Sequence, residues 1–309
     1  MKVWVTGAKG FVGGYLAREL ANSGHEVHGI GHGALEDPDK RRLGLQVWLN
    51  GEIDATNLDA LAKRSGLPTT VYHLAGGSSV GLSISQPFED FVRTVVSTAK
   101  LLDWLRSSAP ECRLISVSSA AVYGANHTGP ISEDSLTLPM SPYGQHKLMM
   151  EHLCRSYAIT FDVRSTVARL FSVYGPNIRK QLSWDLCSRL HRGERTLVLG
   201  GGGAEMRDWT DVRDVARFLV SINARPQPKP FEVINGGSGL GTSVAEIAAT
   251  LTKNWGGDIT VKFSGVARTG DPFSLVADPS VARAAGFNWK IPVAQGLADY
   301  VSWFKDNIR

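Results

Sequence analysis

The chain has 309 residues, 43% hydrophobic and 20% charged, enough apolar material to bury about three quarters of its unfolded surface, which excludes stapled miniproteins, fibrous repeats and wholesale disorder. Thirty-three Lys and Arg against 29 Asp and Glu leave a net charge of +4, scattered along the chain. The densest basic cluster, Lys40, Arg41 and Arg42, reads as a solvated loop, not a nucleic-acid face. Three widely spaced cysteines, Cys112, Cys154 and Cys187, fit neither a disulfide framework nor a metal site. With no apolar run near ~18 residues and no leader pattern, the expectation is a cytoplasmic protein outside the membrane.

Short apolar runs alternate with amphipathic ones from the first residue, the pattern of βαβ units around a parallel sheet. Val3 to Val5 predicts a strand and Phe11 to Ser23 a helix. Between them, Thr6-Gly7-Ala8-Lys9-Gly10-Phe11-Val12-Gly13-Gly14 sets glycines every three residues across the strand-to-helix turn. Such a turn frees backbone N–H groups and aims a helix N-terminus at an anion, so it suits a dinucleotide pyrophosphate. A plain tight turn with close helix packing is the alternative. The second strand, Glu26 to Ile30, runs on into Gly31 and His32 without the carboxylate that the ribose 2′-OH of NAD would use. The cofactor expectation is therefore NAD or NADP, tilted toward NADP, with His32 or the Lys40 to Arg42 cluster facing the 2′-phosphate.

Further strands are predicted at Leu45 to Leu49, Thr70 to Leu74, Arg113 to Val117 and Val163 to Leu170, and helices at Phe88 to Arg106 and Pro142 to Ala158. Arg113 to Val117 leads into Ser118-Ser119-Ala120-Ala121-Val122-Tyr123-Gly124, which places hydroxyls at the carboxyl edge of the sheet, where open α/β sheets bind ligands. Ser141 as N-cap and Pro142 at the first helical position then start a helix whose Tyr143 and Lys147 share one face. A tyrosine near pKa 10 becomes a base at neutral pH only if lowered by ~3 units, roughly 4 kcal/mol. A unit charge ~4 Å away at an effective dielectric of ~20 supplies about that much.

After about Gly175 breakers concentrate, with a glycine run at Gly200 to Gly203 and alternating prolines from Arg225 to Pro230. Helices resume at Ser243 to Lys253 and Val293 to Asp306. The expected architecture is α/β: a Rossmann-type doubly wound parallel sheet over residues 1–175, and a smaller α/β substrate-binding lobe over 176–309, interwoven with the first.

Serine, tyrosine and lysine in this order behind a glycine turn, with His73-Leu74-Ala75-Gly76, Arg169-Leu170-Phe171-Ser172-Val173-Tyr174-Gly175-Pro176, Arg207-Asp208-Trp209 and Arg268-Thr269-Gly270-Asp271, carry a resemblance over nearly the whole chain. The sequence resembles the extended short-chain dehydrogenase/reductase family, in its group of nucleotide-sugar epimerases, dehydratases and reductases. The resemblance implies Ser119, Tyr143 and Lys147 as the catalytic trio. It implies a cofactor held by Gly7, Gly10, Phe11, Val12, Gly13, His32, Glu52, Ile53, Leu74, Ala75 and Gly76 together with Tyr143 and Lys147. Ser78, Ser119, Ala120, Ser172, Arg207, Arg268 and Asp271 would meet a nucleotide-diphosphate sugar.

Where 4,6-dehydratases of the family carry an Asp-Glu pair, this chain has Ala120 and Ala121 behind Ser119, which disfavours dehydration. Ser172 and Thr94 stand where many relatives have asparagine. The implied function is an NAD(P)-dependent nucleotide-sugar epimerase working through a 4-keto sugar. An NADPH-dependent 4-keto-6-deoxysugar reductase and a non-catalytic dinucleotide sensor are the alternatives. No metal is implied, and the helices Phe88 to Arg106 and Ser141 to Ala158 would pair two copies into a homodimer.

Overall fold

The structure is a computed structural model that describes residues 1–266 and 272–308. Its first half alternates strand and helix: β1 Lys2–Thr6, α1 Phe11–Asn22, β2 Glu26–Gly31, α2 Asp37–Arg42, β3 Leu45–Asn50, α3 Ala55–Ser65, β4 Thr70–His73, α4 Val80–Ser85, α5 Pro87–Phe91, α6 Ser97–Ser108, β5 Arg113–Ser119, α7 Pro142–Phe161 and β6 Ser165–Leu170. There follow β7 Ser172–Tyr174, α8 Gln181–His191, β8 Thr196–Leu199, β9 Met206–Asp211, α9 Val212–Ala224, β10 Phe231–Gly236, β11 Gly241–Ser243, α10 Val244–Trp255, β12 Thr260–Phe263, β13 Ser274–Leu275, α11 Ser280–Ala284 and α12 Val293–Asn307.

Seven strands form one parallel sheet in the order β10-β6-β5-β4-β1-β2-β3. This is the doubly wound Rossmann arrangement that the alternation predicts. Both faces are covered, so a central strand such as β6 is buried at every residue, as parallel strands between two helical layers must be. On one face Leu16, Ala17 and Leu20 of α1 pack with Val215, Phe218 and Leu219 of α9 over Val3, Val5 and Ile115. The other face joins Leu58 and Leu61 of α3, Leu101 and Leu105 of α6 and Cys154 of α7 with Trp4, Val71 and Leu114.

The chain leaves this sheet after β6 and builds a second body from β11, β9, β13 and β7, with a two-stranded β12-β8 sheet beside it. Its own core includes Leu186, Leu197, Leu251, Tyr300 and Phe304. In between, α9 packs on α1 and β10 pairs with β6 from Phe231–Ser165 to Gly236–Leu170.

One predicted helix is divided. The stretch expected from Phe88 to Arg106 is α5, a π-turn over Val92–Val96, and then α6. Thr94 lies in that turn, its hydroxyl taking the N–H of Gly77 at 2.8 Å and its carbonyl taking the hydroxyl of Thr98 at 2.6 Å. These contacts compete with the ordinary i to i−4 ladder, which accounts for the wide turn.

Candidate active site

The glycine turn sits at the carboxyl end of β1. Gly7 has φ +71°, a conformation open to glycine and strained for other residues. A Cβ there would lie 3.0 Å from the amide nitrogen of Ala75, one on Gly10 would lie 3.1 Å from the Gly7 carbonyl oxygen, and one on Gly13 would overlap that oxygen. The helix begins at N-cap Gly10 with no side chain closing its end. The result is a backbone cradle at a helix N-terminus, and it fits a pyrophosphate. Phe11 and Val12 open the helix half-buried, Leu74 and Ala75 face the turn from the end of β4, and Gly76 beyond them faces Lys147 and Thr94.

A chain of oriented hydroxyls ties these strand ends together. Leu74 and Ala75 donate their N–H groups to Thr6 Oγ1, both at 3.1 Å, and Thr6 meets His73 Nδ1 at 2.8 Å. His73 Nε2 meets Thr98 Oγ1 at 2.9 Å, and that hydroxyl is already committed as donor to the Thr94 carbonyl. The bonding therefore assigns Nε2 as the protonated nitrogen and Nδ1 as acceptor from Thr6. Burial, with the nearby Lys147 charge, pulls His73 down to about 3, so it is a neutral structural connector.

Ser119, Tyr143 and Lys147 come together across the β5 edge and the first turn of α7. Ser141 caps that helix by accepting the Gly144 N–H at 3.2 Å, and the N–H of Tyr143 is taken by Ser83 Oγ at 3.0 Å. Lys147 is 3% exposed. Its ammonium donates to the Val117 carbonyl at 3.0 Å and lies 5.9 Å from the centre of the Tyr143 ring. The Ser119 hydroxyl faces the Tyr143 phenol closely enough to lower its pKa, and it accepts the Ala121 N–H at 3.2 Å.

Burial pushes Tyr143 above its ordinary value, the nearby Ser119 hydroxyl works against that, and the Asp90 charge adds to it. Burial also pulls Lys147 down to about 8.

Beneath the trio lies a network that sequence reasoning missed. Ser118 Oγ donates to Glu151 at 2.5 Å, and Glu151 takes Arg169 through both carboxylate oxygens, at 3.0 and 2.7 Å. Arg169 donates on to Tyr123 at 2.9 Å and Tyr123 to Asn235 at 2.7 Å. All five residues are buried. Tyr123, which burial pushes up to about 12, is thus a support. Glu151 falls four residues after Lys147 on the same helical face, a spacing that could have revealed it.

Just beyond the ends of β2 and β3, His32 Nε2 lies 3.6 Å from a carboxylate oxygen of Glu52, both exposed, while Ile53 beside it is buried. Lys40 is paired with Asp37 at 2.6 Å and Arg42 with Asp39 at 3.0 Å. Of the residues assigned to substrate, Ser78 is exposed and its carbonyl accepts Lys180 at 2.6 Å, whereas Ala120 is buried in the turn after β5. Ser172 of β7 pairs with Trp209 of β9, and Arg207 of β9 donates to the Met206 carbonyl at 2.8 Å. Arg268 and Asp271 lie outside the described residues. Cys112, Cys154 and Cys187 are buried free thiols, pushed up to about 12 by burial. Among the described residues no helix is long and apolar enough to cross a membrane.

Residues 3–237 match the model of the NAD dependent epimerase/dehydratase family. The chain is 28% identical to a probable UDP-glucuronate 4-epimerase of Rhizobium meliloti, over 100% of its own length and 98% of the relative's. Among solved structures it resembles MoeE5 in complex with UDP-glucuronic acid and NAD, at 32% identity and a TM-score of 0.87 with 100% of both chains covered. It also resembles the UDP-glucuronic acid 4-epimerase of Bacillus cereus in complex with UDP-glucuronic acid and NAD, at 30% identity and a TM-score of 0.88 with 99% of both chains covered.

Proposed function

Because the chain belongs to the NAD-dependent epimerase/dehydratase family, we propose that this enzyme is a UDP-sugar 4-epimerase that works through a 4-keto sugar. The observation that carries the reading is the meeting of Tyr143, the neighbouring Ser119 hydroxyl and the buried Lys147 ammonium at the carboxyl edge of β5, on the same edge of the sheet as the glycine cradle. Tyr143 would take the proton from the sugar C4 hydroxyl and return it after the sugar turns over. Ser119 would hold that oxygen by a hydrogen bond, and Lys147 would supply positive charge beside the phenol.

NAD, when bound, supplies the acceptor for the C4 hydride and a positive charge close to the tyrosine. Gly7, Gly10 and Gly13 would hold its pyrophosphate, and Lys147 its nicotinamide ribose. The NADP preference finds no support. The Glu52 carboxylate beside His32 sets negative charge where a 2′-phosphate would need positive, and Lys40 and Arg42 are engaged with their own acids. The similar solved structures carry NAD.

We assign cofactor binding to residues 1–175 and the sugar nucleotide chiefly to 176–309. Incubation of the purified protein with UDP-glucuronic acid and with UDP-glucose, without added reductant, tests the reading. Appearance of the C4 epimer by NMR supports it. In a separate incubation with NADPH and a nucleotide 4-keto-6-deoxysugar, stoichiometric loss of NADPH would favour the reductase instead, and conversion of neither UDP-glucuronic acid nor UDP-glucose would remove the epimerase assignment for those two sugars.

A further inference from the structure

We propose that the buried pair Asp90 and His146 is a positioning device for the Tyr143–Lys147 centre, in which the Asp90 carboxylate, held by His146, acts across the Gly76–Gly77 loop as a fixed counter-charge to the Lys147 ammonium without an ion pair between them. The inference rests on the epimerase reading for its bearing on turnover, and on geometry for the rest.

Asp90 belongs to α5 and is 6% exposed. One of its oxygens faces the Nδ1 of His146 at 2.6 Å. An ionised carboxylate can only accept, so Nδ1 carries the proton and donates. His146 stands three residues after Tyr143 and one before Lys147 on α7, and Phe91 meets its ring edge-on at 5.5 Å between centroids. The other Asp90 oxygen lies so close to Gly77 that a Cβ there would overlap it. Gly77 in turn donates to Thr94, and a Cβ on Gly76 would lie 3.4 Å from both Thr94 Oγ1 and Lys147 Nζ. Carboxylate, Gly76–Gly77 loop and ammonium therefore occupy one neighbourhood, closed on one side by α5 and on the other by α7.

The charges in that neighbourhood are few. Lys147 is pulled down to about 8 by burial; Asp90 is the strongest charge holding it up, ahead of Glu151 on its own helix, where the Cys154 thiol stays neutral, and Lys180, preceding α8, opposes them. His73 of β4 is neutral and adds none. Asp90 also raises Tyr143. Removing its charge should thus let both groups lose their protons at lower pH. A pair that merely clamped α5 to α7 would leave both titrations where they are.

The experiment follows the lysine 13Cε resonances through a pH titration, with Lys147 assigned by its absence in Lys147→Met, and alongside it the pH profiles of kcat and KM. In Asp90→Asn the Lys147 midpoint is expected to fall by about one unit. Both limbs of the kcat profile move to lower pH, with a loss of roughly tenfold on the alkaline side and KM for the UDP-sugar within about twofold. His146→Ala should move the midpoint the same way by less. His146→Asn, whose amide N–H can donate to the same oxygen, should bring it back.

An unmoved Lys147 midpoint in folded Asp90→Asn overturns the proposal. If Asp90→Asn does not fold, an unmoved midpoint in His146→Ala overturns it. A shifted midpoint in a protein that converts no UDP-sugar leaves the counter-charge role standing and sinks the epimerase reading instead.

Discussion

Tyr143 is only half-buried; its backbone N–H is held by Ser83 and its phenol faces Ser119. Removing the hydroxyl alone should therefore spare the fold and remove the proton carrier. Tyr143→Phe is expected to cut kcat by about 10²–10⁴-fold, with KM for the UDP-sugar within about threefold and an unchanged circular dichroism spectrum. His73 makes a second prediction, with a defined sign. The folded protein keeps it neutral down to about 3, while the unfolded chain binds a proton below about 6.5, so native stability is complete above that pH and drains away as pH falls from there toward 3. The effect is on the order of a few kcal/mol, and urea denaturation of His73→Gln should show a flatter pH dependence of stability across that window. At this scale the sequence is readable where chemistry is local: Tyr143 and Lys147 declare themselves by helical spacing, and Ser119 by the sheet edge. Asp90 and His146 do not, because 56 residues separate them and only the packing of α5 against α7 makes them partners.

Among the elements, the turn between β1 and α1 has the least room. A methyl group at Gly13 would collide with the Gly7 carbonyl, and that backbone is held by the bond from Gly7 N–H to Ile30 at 2.9 Å. Gly13→Ala should destabilise the protein by about 1–3 kcal/mol and weaken NAD binding by tenfold or more, measured by thermal melting and by titration with NAD. The central strands were legible nearly to the residue, since a strand buried on both faces writes a short apolar run, unbroken in β1 and interrupted only by Ser116 in β5 before its hydroxyl end. The α5 to α6 stretch was legible as helix but not as a broken one, because the π-turn is set by Gly77 and Thr98 engaging Thr94, and the Gly77 contact comes from 17 residues away. The small strands β7, β9, β11 and β13, of two to six residues, carry too few alternations to stand out from loop.

For the molecule as a whole, the return of β10 to the main sheet decides what can be separated. β6 has β5 on one side and β10 on the other, and α9 covers the face of the sheet that α1 shares. A fragment ending at residue 230 would keep α9 over α1 but leave β6 as an open apolar edge. It should be insoluble or fail to bind NAD, whereas a fragment ending at 236 restores the edge; comparing their soluble yields and NAD titrations checks this. The surface suggests an assembly as well. Phe88 is 76% exposed at the start of α5 and Met149 of α7 is 43% exposed, on the helices where the resemblance leads us to expect a homodimer. Sedimentation should give twice the chain mass for the wild type and a shift toward monomer in Phe88→Glu. The same returning strand also sets a timetable for synthesis. Between the end of β6 and the start of β10 lie residues 171–230, which a ribosome adding about 5–20 residues per second needs roughly 3–12 s to make. Throughout that pause the nascent sheet has a bare border, so this enzyme matures late on the translating ribosome and offers chaperones a window that opens with β6 and shuts with β10.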